Sequence, residues 1–478
     1  MSLPIGAITQ ETVDLAKNAL ATKAVTVPGL QKAGINIAQA LVGYNLEAPS
    51  KKLFPVYSPL RNRIARVAAP VGATAVNWKR ITGINTANLW PGVAENTRAA
   101  AFNTTGTDSK SATFVTMGHD DYVGFEALYA SKGFEDVRAV AALNLLYSVM
   151  ISEERVILGG QATDIGAPTT LAGATSSSTA GALTTDTYYV YASALSLRGY
   201  QKAEKAAGTA NADGESLVGT SASITINGGL DTITATWTRV KGAVAYNVFT
   251  KKGGAAIKYH STVTVNACTI ITQGASGTTP NTSDETGSTY EFTGVIGSIA
   301  ADGTVTSLDA GTLTSDTYGG ITQFDTALKA MWDTYRLGPT MILCNSQQAK
   351  DITAKIGAST ALAYRVVLQD GQKNIVGGIY VGSYLNKFAS SFAEGFPNEI
   401  PIKIHPDLPS GTIIFLVEQL PYPNNQIPNV WEMEVQNEYT QYEWALSQRR
   451  YEFGIYVTEV LKPYYPAAQT MLVNVLAG

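Results

Sequence analysis

Three histidines, His119, His260 and His405, are the side chains best suited to acid–base work or metal ligation. They stand far apart, with no ligand spacing between them, and each reads as structural. His119-Asp120-Asp121 gathers one imidazole and two carboxylates that could hold a cation, but its place before a helical pattern reads as a solvated turn. Glu153 and Glu154 could serve as paired carboxylates. Neighbours on a helix point about 100° apart, so they cannot share one face. Cys268 and Cys344 fall in different predicted domains and read as unpaired thiols of a reducing compartment. No Gly-x-Ser-x-Gly elbow, phosphate-cradling loop or zinc-spaced cysteine pair occurs. Arg449-Arg450 and Lys51-Lys52 are doublets that could touch DNA or a neighbouring chain. No catalytic residue, cofactor or metal site is assigned, so function has to be sought in architecture.

The 478 residues exceed one ordinary core and imply two to four domains. Charged residues make up 15%, against a usual ~25%. With 44 glycines and abundant Thr, Ser and Ala, the chain reads as β-rich and as burying surface against partners. A net charge of −4 gives no global argument for nucleic-acid binding. The first residues, Met1 to Gly6, lack the charged and apolar regions of a secretory signal. No apolar run approaches the length of a membrane span, so no membrane partner is expected.

Residues 8–24 carry a short helical pattern, and residues 25–48 an irregular arm broken by Pro28, Gly29 and Gly34. A long hairpin is expected next, with strands near Ala75–Ile81 and Ala112–Met117. The roughly 30 residues between them, with Trp90 at the middle, far exceed an ordinary hairpin loop. Such a loop docks on a neighbour or carries function. Residues 134–158 form the strongest helical pattern, ~35–40 Å long at 1.5 Å per residue. Glu135 and Asp136 fall in its first turn, and Val137, Val140, Ala141, Leu143, Tyr147, Met150, Ile151, Ile157 and Leu158 on its apolar stripe. Gly159-Gly160 stops it. Uncharged residues 165–185 and 274–280 read as flexible linkers around a Thr/Ser/Gly-rich β module. After the module come a helix over Gln323–Leu337, a buried strand at Thr340–Cys344 and a helix capped by Ser346 that runs to about Ile356. Strands follow at Gly378–Gly382, Ile400–Ile404, Thr412–Val417 and Tyr451–Val457. The fold class is α+β with an inserted all-β module.

The stretch Ile233–Phe249, with Trp237 and Tyr246, resembles strands B to C of fibronectin type III domains, in which a buried Trp packs near a Tyr across two sheets. Thr187–Leu195, followed by Gly214-Glu215-Ser216, resembles that family's strand F. Here it precedes B and C, so the module looks permuted. The resemblance implies an immunoglobulin-like sandwich with Trp237 and Tyr246 in its core.

The remainder resembles the major capsid proteins of tailed bacteriophages. The resemblance lies in the order of arm, long hairpin loop, spine helix ending Ser152–Gly160, helix–strand–helix over 319–356, and the C-terminal segments Ile404–Ile413 and Leu420–Pro423. It implies an N-terminal arm at 1–66, an extended loop at 67–120, and a peripheral domain with the spine helix at 121–171. The inserted domain would cover 172–291, the peripheral return 292–318, an axial domain 319–420, and peripheral and C-terminal strands 421–478. It further implies hexamers and pentamers of an icosahedral virion shell, assembled in a bacterial cytoplasm around dsDNA that is contacted weakly and non-specifically. Scaffolding, portal and decoration proteins would be its partners, and the module would project outward. Trp90 and Arg98 of the extended loop would contact the adjacent subunit. Some members of that family cross-link a loop lysine to a neighbour's asparagine. Lys79 and Lys110 lie in or beside the loop, without a motif naming their partners, and read as solvated. The alternatives are an encapsulin-like compartment shell and an adhesin or carbohydrate-binding protein.

Overall fold

In a computed structural model of the chain, the described residues are 57–84, 92–98, 106–132, 136–177, 181–228, 231–274, 277–357, 381–388, 399–421, 427 and 429–478. The helix expected at 8–24 and Trp90 lie outside them.

Three groups of elements follow one another. The first is β1 (Ala65–Ala68), β2 (Ala75–Gly83), β3 (Gly106–Thr113), β4 (Val115–Gly124), α1 (Phe125–Ser131) and α2 (Val137–Gly159). The second is β5 (Thr169–Ser177), β6 (Asp186–Leu195), α3 (Leu197–Lys202), β7 (Glu215–Val218), β8 (Ala222–Ile226), β9 (Asp231–Thr238), β10 (Ala245–Lys252), β11 (Lys258–Val263) and β12 (Ala267–Ile270). The third opens with α4 (Val295–Asp302), β13 (Thr304–Ser307), α5 (Thr322–Tyr335), β14 (Met341–Cys344), α6 (Ser346–Gly357) and β15 (Ser383–Leu385). It closes with β16 (Glu399–Ile404), β17 (Ile413–Leu416), β18 (Trp431–Glu443), β19 (Arg450–Pro463) and β20 (Thr470–Val473). The protein is mixed α+β.

The first and third groups interleave. β1, β18, β19 and β4 form one sheet in that order, with α2 against β4 and β19. The Asp136 side chain starts α2 by accepting from the Arg138 and Ala139 amides, at 3.1 and 3.2 Å. Its buried stripe is Ala141, Leu145, Val149, Ile157 and Leu158. Leu143, placed on the apolar stripe by the sequence pattern, is 48% exposed; a helix this apolar admits more than one stripe, and packing selects among them.

A second sheet runs β13-β20-β17-β14-β16-β15. All four residues of β14 are buried, as a strand central to a covered sheet requires. α5 buries Phe324, Ala327, Leu328 and Met331. Phe324 stands edge-on to Phe415 and Tyr384, with ring centroids 5.1 and 5.2 Å apart. Asn345, rather than Ser346, caps α6, accepting from the Gln347 amide at 2.9 Å. Of the strand expected at 378–382, residues 378–380 lie outside the described residues; β15 begins just after it, at Ser383.

The second group builds two sheets with a core of their own. One is β12-β9-β5; the other is β11-β10-β6-β7, with β8 also on β6. Trp237 and Tyr246 meet edge-to-face between them at 5.3 Å, 3% and 1% exposed. The Tyr246 hydroxyl accepts from the Val240 amide at 3.1 Å, and burial pushes the phenol up to about 12. Cys268 lies in this core and Cys344 in the larger one, both as free buried thiols.

Two expectations need correction. The hairpin's return strand is Gly106–Thr113, while Val115–Met117 opens β4 and pairs with β19. The linker at 165–185 is mostly structured: residues 169–177 form β5 against β9, and Leu183 is 1% exposed. An uncharged Thr/Ser/Gly run has full backbone hydrogen-bonding capacity, and an open sheet edge uses it.

Candidate assembly surfaces

The β2–β3 ribbon begins with a sequence that alternates in polarity and, among the described residues, finds no third strand. Two strands alone are marginal in water, and this ribbon is anchored at its root. The Trp78 indole donates to the Pro463 carbonyl at 3.1 Å, and the Ile81 amide to that of Tyr464 at 2.8 Å. Arg80 reaches across the ribbon to Asp108 at 3.0 Å and outward to Asp302 of α4. The hydrogen bond from Arg80 holds the Asp108 carboxyl below its ordinary value. Lys110 lies 3.6 Å from the same carboxylate, and Lys79 is exposed. Most of β3 is solvent-facing. Arg98 is exposed in the described part of the loop, and Trp90 lies outside it.

A second surface lies where β18 and β19 run past the core. The first five residues of β18 are mainly buried, while its last eight are almost all exposed. Tyr442 and Trp444 stack there beside Tyr456, with centroids 5.9–6.5 Å apart. Tyr442, Trp444 and Leu446 are 46–58% exposed. Arg450 covers the Tyr122 ring at 4.5 Å, and Arg138 the Tyr451 ring at 4.4 Å. Aromatic rings interleaved with arginines are the composition of binding hot spots. Sequence reasoning missed this surface, although Tyr442 and Trp444 at i, i+2 would share one face of a strand.

Beneath β1, a buried ionic cluster fastens residues 57–68 to α2. Glu153 and Glu154 are both 0% exposed. They point apart as expected, and each finds its own partners. Glu153 accepts from Arg61 Nε at 2.8 Å, from Arg66 Nη1 at 2.6 Å and from the Tyr439 hydroxyl. Glu154 accepts from the Leu60 and Arg61 amides at 3.0 and 2.8 Å, and pairs with His405 Nε2 at 2.8 Å. The Asp407 amide donates to His405 Nδ1 at 3.2 Å, so Nε2 carries the proton given to Glu154. Arg66 also holds Glu459 at 2.6 Å. Burial, aided by the charge of Glu153, pushes the Glu459 carboxyl up to about 8 against the pull of Arg66. The same carboxylates keep the Arg66 cation above its ordinary value despite its burial.

The second group leaves and rejoins the chain through one stem. The Gly294 amide donates to the Gly160 carbonyl, and that of Ser288 to Gln161, both at 2.9 Å. The Ile165 amide donates to Thr286 Oγ1, and that of Gly287 to Asp164 Oδ1, both at 3.0 Å. A Cβ on Gly287 would lie 2.7 Å from the backbone of residues 163–164, so the two strands of the stem approach this closely only with glycine there. Leu195, Leu197, Val244 and Ala245 join the larger core. The group is therefore docked through its base.

His119 bonds Ser152 at 2.7 Å, and His260 bonds Ser261 at 2.7 Å. Among the described residues no three His, Cys, Asp or Glu side chains gather as a metal site, and no helix is long and apolar enough to cross a membrane.

No protein-family profile and no curated sequence matches the chain. Among solved structures, the cyanophage A-1(L) capsid is similar at 10% identity and a TM-score of 0.45, over 92% of this chain and 99% of that one. The capsid of a native GTA particle is similar at 10% and 0.41, over 95% and 100%. The holo-SrpI encapsulin of Synechococcus elongatus PCC 7942 is similar at 9% and 0.35, over 100% and 97%.

Proposed function

We propose that this chain is a structural subunit of an icosahedral shell of the tailed-phage capsid type. The observation that carries this reading is the β2–β3 ribbon, whose root is fixed by Trp78, Ile81 and Arg80 and whose strand β3 is mostly solvent-facing. A two-stranded ribbon of this length has too little core to stand alone, and a neighbouring copy would supply the missing cover. The extended loop with Trp90 and Arg98 would lie across that neighbour, and the aromatic end of β18–β19 would meet a further copy.

The second group of strands is read as an inserted, permuted immunoglobulin-like domain. β9 and β10, at the places of strands B and C, lie in opposite sheets. β6, at the place of strand F, pairs antiparallel with β10, as F pairs with C in such sandwiches. The shared stem supports insertion, because host ends that lie side by side tolerate added chain. The domain would project from the outer surface, with hexamers and pentamers enclosing dsDNA beneath it.

Electron microscopy of the protein expressed alone and with its genomic neighbours tests the shell. Icosahedral particles or six-fold capsomers are expected. A discrete monomer under every condition would refute the reading and favour an adhesin-like binding protein. Shells carrying a protein cargo and no nucleic acid would replace the virion with an encapsulin-like compartment.

A further inference from the structure

At the base of the inserted domain, a lysine, an asparagine and a glutamate meet out of water. Lys205 is 2% exposed, Asn281 4% and Glu215 0%. Lys205 Nζ lies 2.9 Å from Asn281 Oδ1 and 3.3 Å from Glu215 Oε2. That Glu215 oxygen is buried and has no hydrogen-bond partner, so the Lys205 ammonium is what it faces. The Phe249 ring, itself 0% exposed, closes the site with its centroid 6.0 Å from Nζ.

The Asn281 carboxamide is held in one orientation. Its Oδ1 accepts from the Ala212 amide at 2.9 Å as well as from Lys205. Its Nδ2 donates to the carbonyls of Ala212 and Glu215, at 2.8 and 3.1 Å. The carbonyl carbon is therefore polarised by two donors on its oxygen, one of them a fixed backbone N–H of the kind that stabilises a developing oxyanion. The amine sits 2.9 Å from that oxygen, one bond from the carbon, and holding the two groups side by side lowers the entropic barrier to attack.

We propose that Lys205 and Asn281 join in an intramolecular amide cross-link, with Glu215 carrying the proton. Lys205 passes a proton from Nζ to Glu215 Oε2, leaving a neutral amine and a carboxylic acid. The Nζ lone pair then attacks Asn281 Cγ, and the Nζ–Cγ bond forms while negative charge gathers on Oδ1 beneath the Ala212 amide. Glu215 protonates Nδ2 and then takes up the excess proton of the new Nζ–Cγ link. The Cγ–Nδ2 bond breaks, Oδ1 regains its double bond and ammonia leaves. Glu215 passes its proton to the departing ammonia, which exits as ammonium, and so returns to its starting carboxylate; no oxidant, metal or co-reactant is consumed. The remaining N–H of the new amide keeps one of the carbonyl acceptors that Nζ now uses, Ala210 at 2.7 Å or Thr209 at 3.2 Å.

The bond would tie the loop after α3 to the segment that returns to the host, across 76 residues of chain. It would lock the inserted domain shut at its base, where Arg198 already grips Glu291 and the Glu285 carbonyl at 3.1 and 2.9 Å.

The test is the intact mass of the purified full-length chain, followed by peptide mapping. The expected result is a mass lighter than the sequence by one ammonia, about 17 Da. A branched peptide should join the segments that contain Lys205 and Asn281. Lys205→Met, Asn281→Ala and Glu215→Gln should each restore the sequence mass. The Glu215→Gln variant, checked for native circular dichroism, separates lost chemistry from lost folding. A wild-type chain at full sequence mass after prolonged incubation overturns the proposal. So does a 17 Da loss that maps to succinimide at another asparagine, and a folded Glu215→Gln variant that still cross-links removes Glu215 from the reaction.

Discussion

Replacing Glu459 with glutamine tests whether burial or ion pairing governs the cluster beneath β1. The carboxyl is raised from an ordinary 4.5 to about 8, with burial the largest cause and Glu153 adding to it. Arg66 and Arg61 oppose the rise, and Glu438 and Tyr439 complete the polar surroundings. At about 1.36 kcal/mol per unit, ionising Glu459 in the folded chain is opposed by on the order of 5 kcal/mol, shared with Glu153 as one coupled pair. An acid raised on folding stabilises most below its unfolded value, near 4.5, and that stability is lost as pH rises through about 8. Glutamine carries no such loss. At pH 5 the variant should melt within a few degrees of wild type, because it keeps the neutral form's shape and one hydrogen-bond acceptor. At pH 9 it should be the more stable of the two, and the gap should widen steadily between. Melting curves at pH 5, 7 and 9, at one ionic strength, provide the assay. A gap that stays flat, or a variant that weakens faster toward high pH, would falsify the argument. Arg66 and Arg61 would then be holding Glu459 ionised.

Trp237→Ala removes the largest ring from the core between the β12-β9-β5 and β11-β10-β6-β7 sheets and should destabilise that core by about 3–5 kcal/mol, read as earlier protease cleavage within 169–270. Tyr442→Ala with Trp444→Ala should lower particle yield while leaving the subunit's melting point nearly unchanged, since both rings are about half exposed; unchanged yield would rule out a contact there. Deleting residues 167–284 and bridging the stem with Gly/Ser should leave shells able to form. The deleted subunit should melt lower than wild type, because Leu195, Leu197, Val244 and Ala245 leave the larger core; complete loss of particles would refute an independent insertion.

Local pattern carried much of the fold. The apolar run of α2 with Asp136 ahead of it, the alternation of β2, and the continuous apolar stretch of β14 were each readable because they depend on neighbours within a few residues. Trp237 and Tyr246 were placed by resemblance to a known sandwich rather than by local pattern, and both lie in the core between two sheets. The return of the ribbon reads as one strand because Ala112 to Met117 alternates in polarity on both sides of the apolar pair Phe114-Val115, and a two-period pattern does not say which sheet will take each side. The stretch at 169–177 looked like a linker because its side chains are small and uncharged, yet its backbone had an open edge beside β9 to pair with.

The amino-acid sequence by itself determined the strongly patterned elements, such as α2, β2 and β14, and the lack of spaced ligand or nucleophile motifs, because period, capping and spacing are properties of short windows. Only the tertiary structure decided which charges are buried. Glu153 lies 92 residues from Arg61 and 286 from Tyr439, and Lys205 lies 76 from Asn281. No local rule brings such residues together. Their chemistry depends on water being excluded by packing that the whole chain completes.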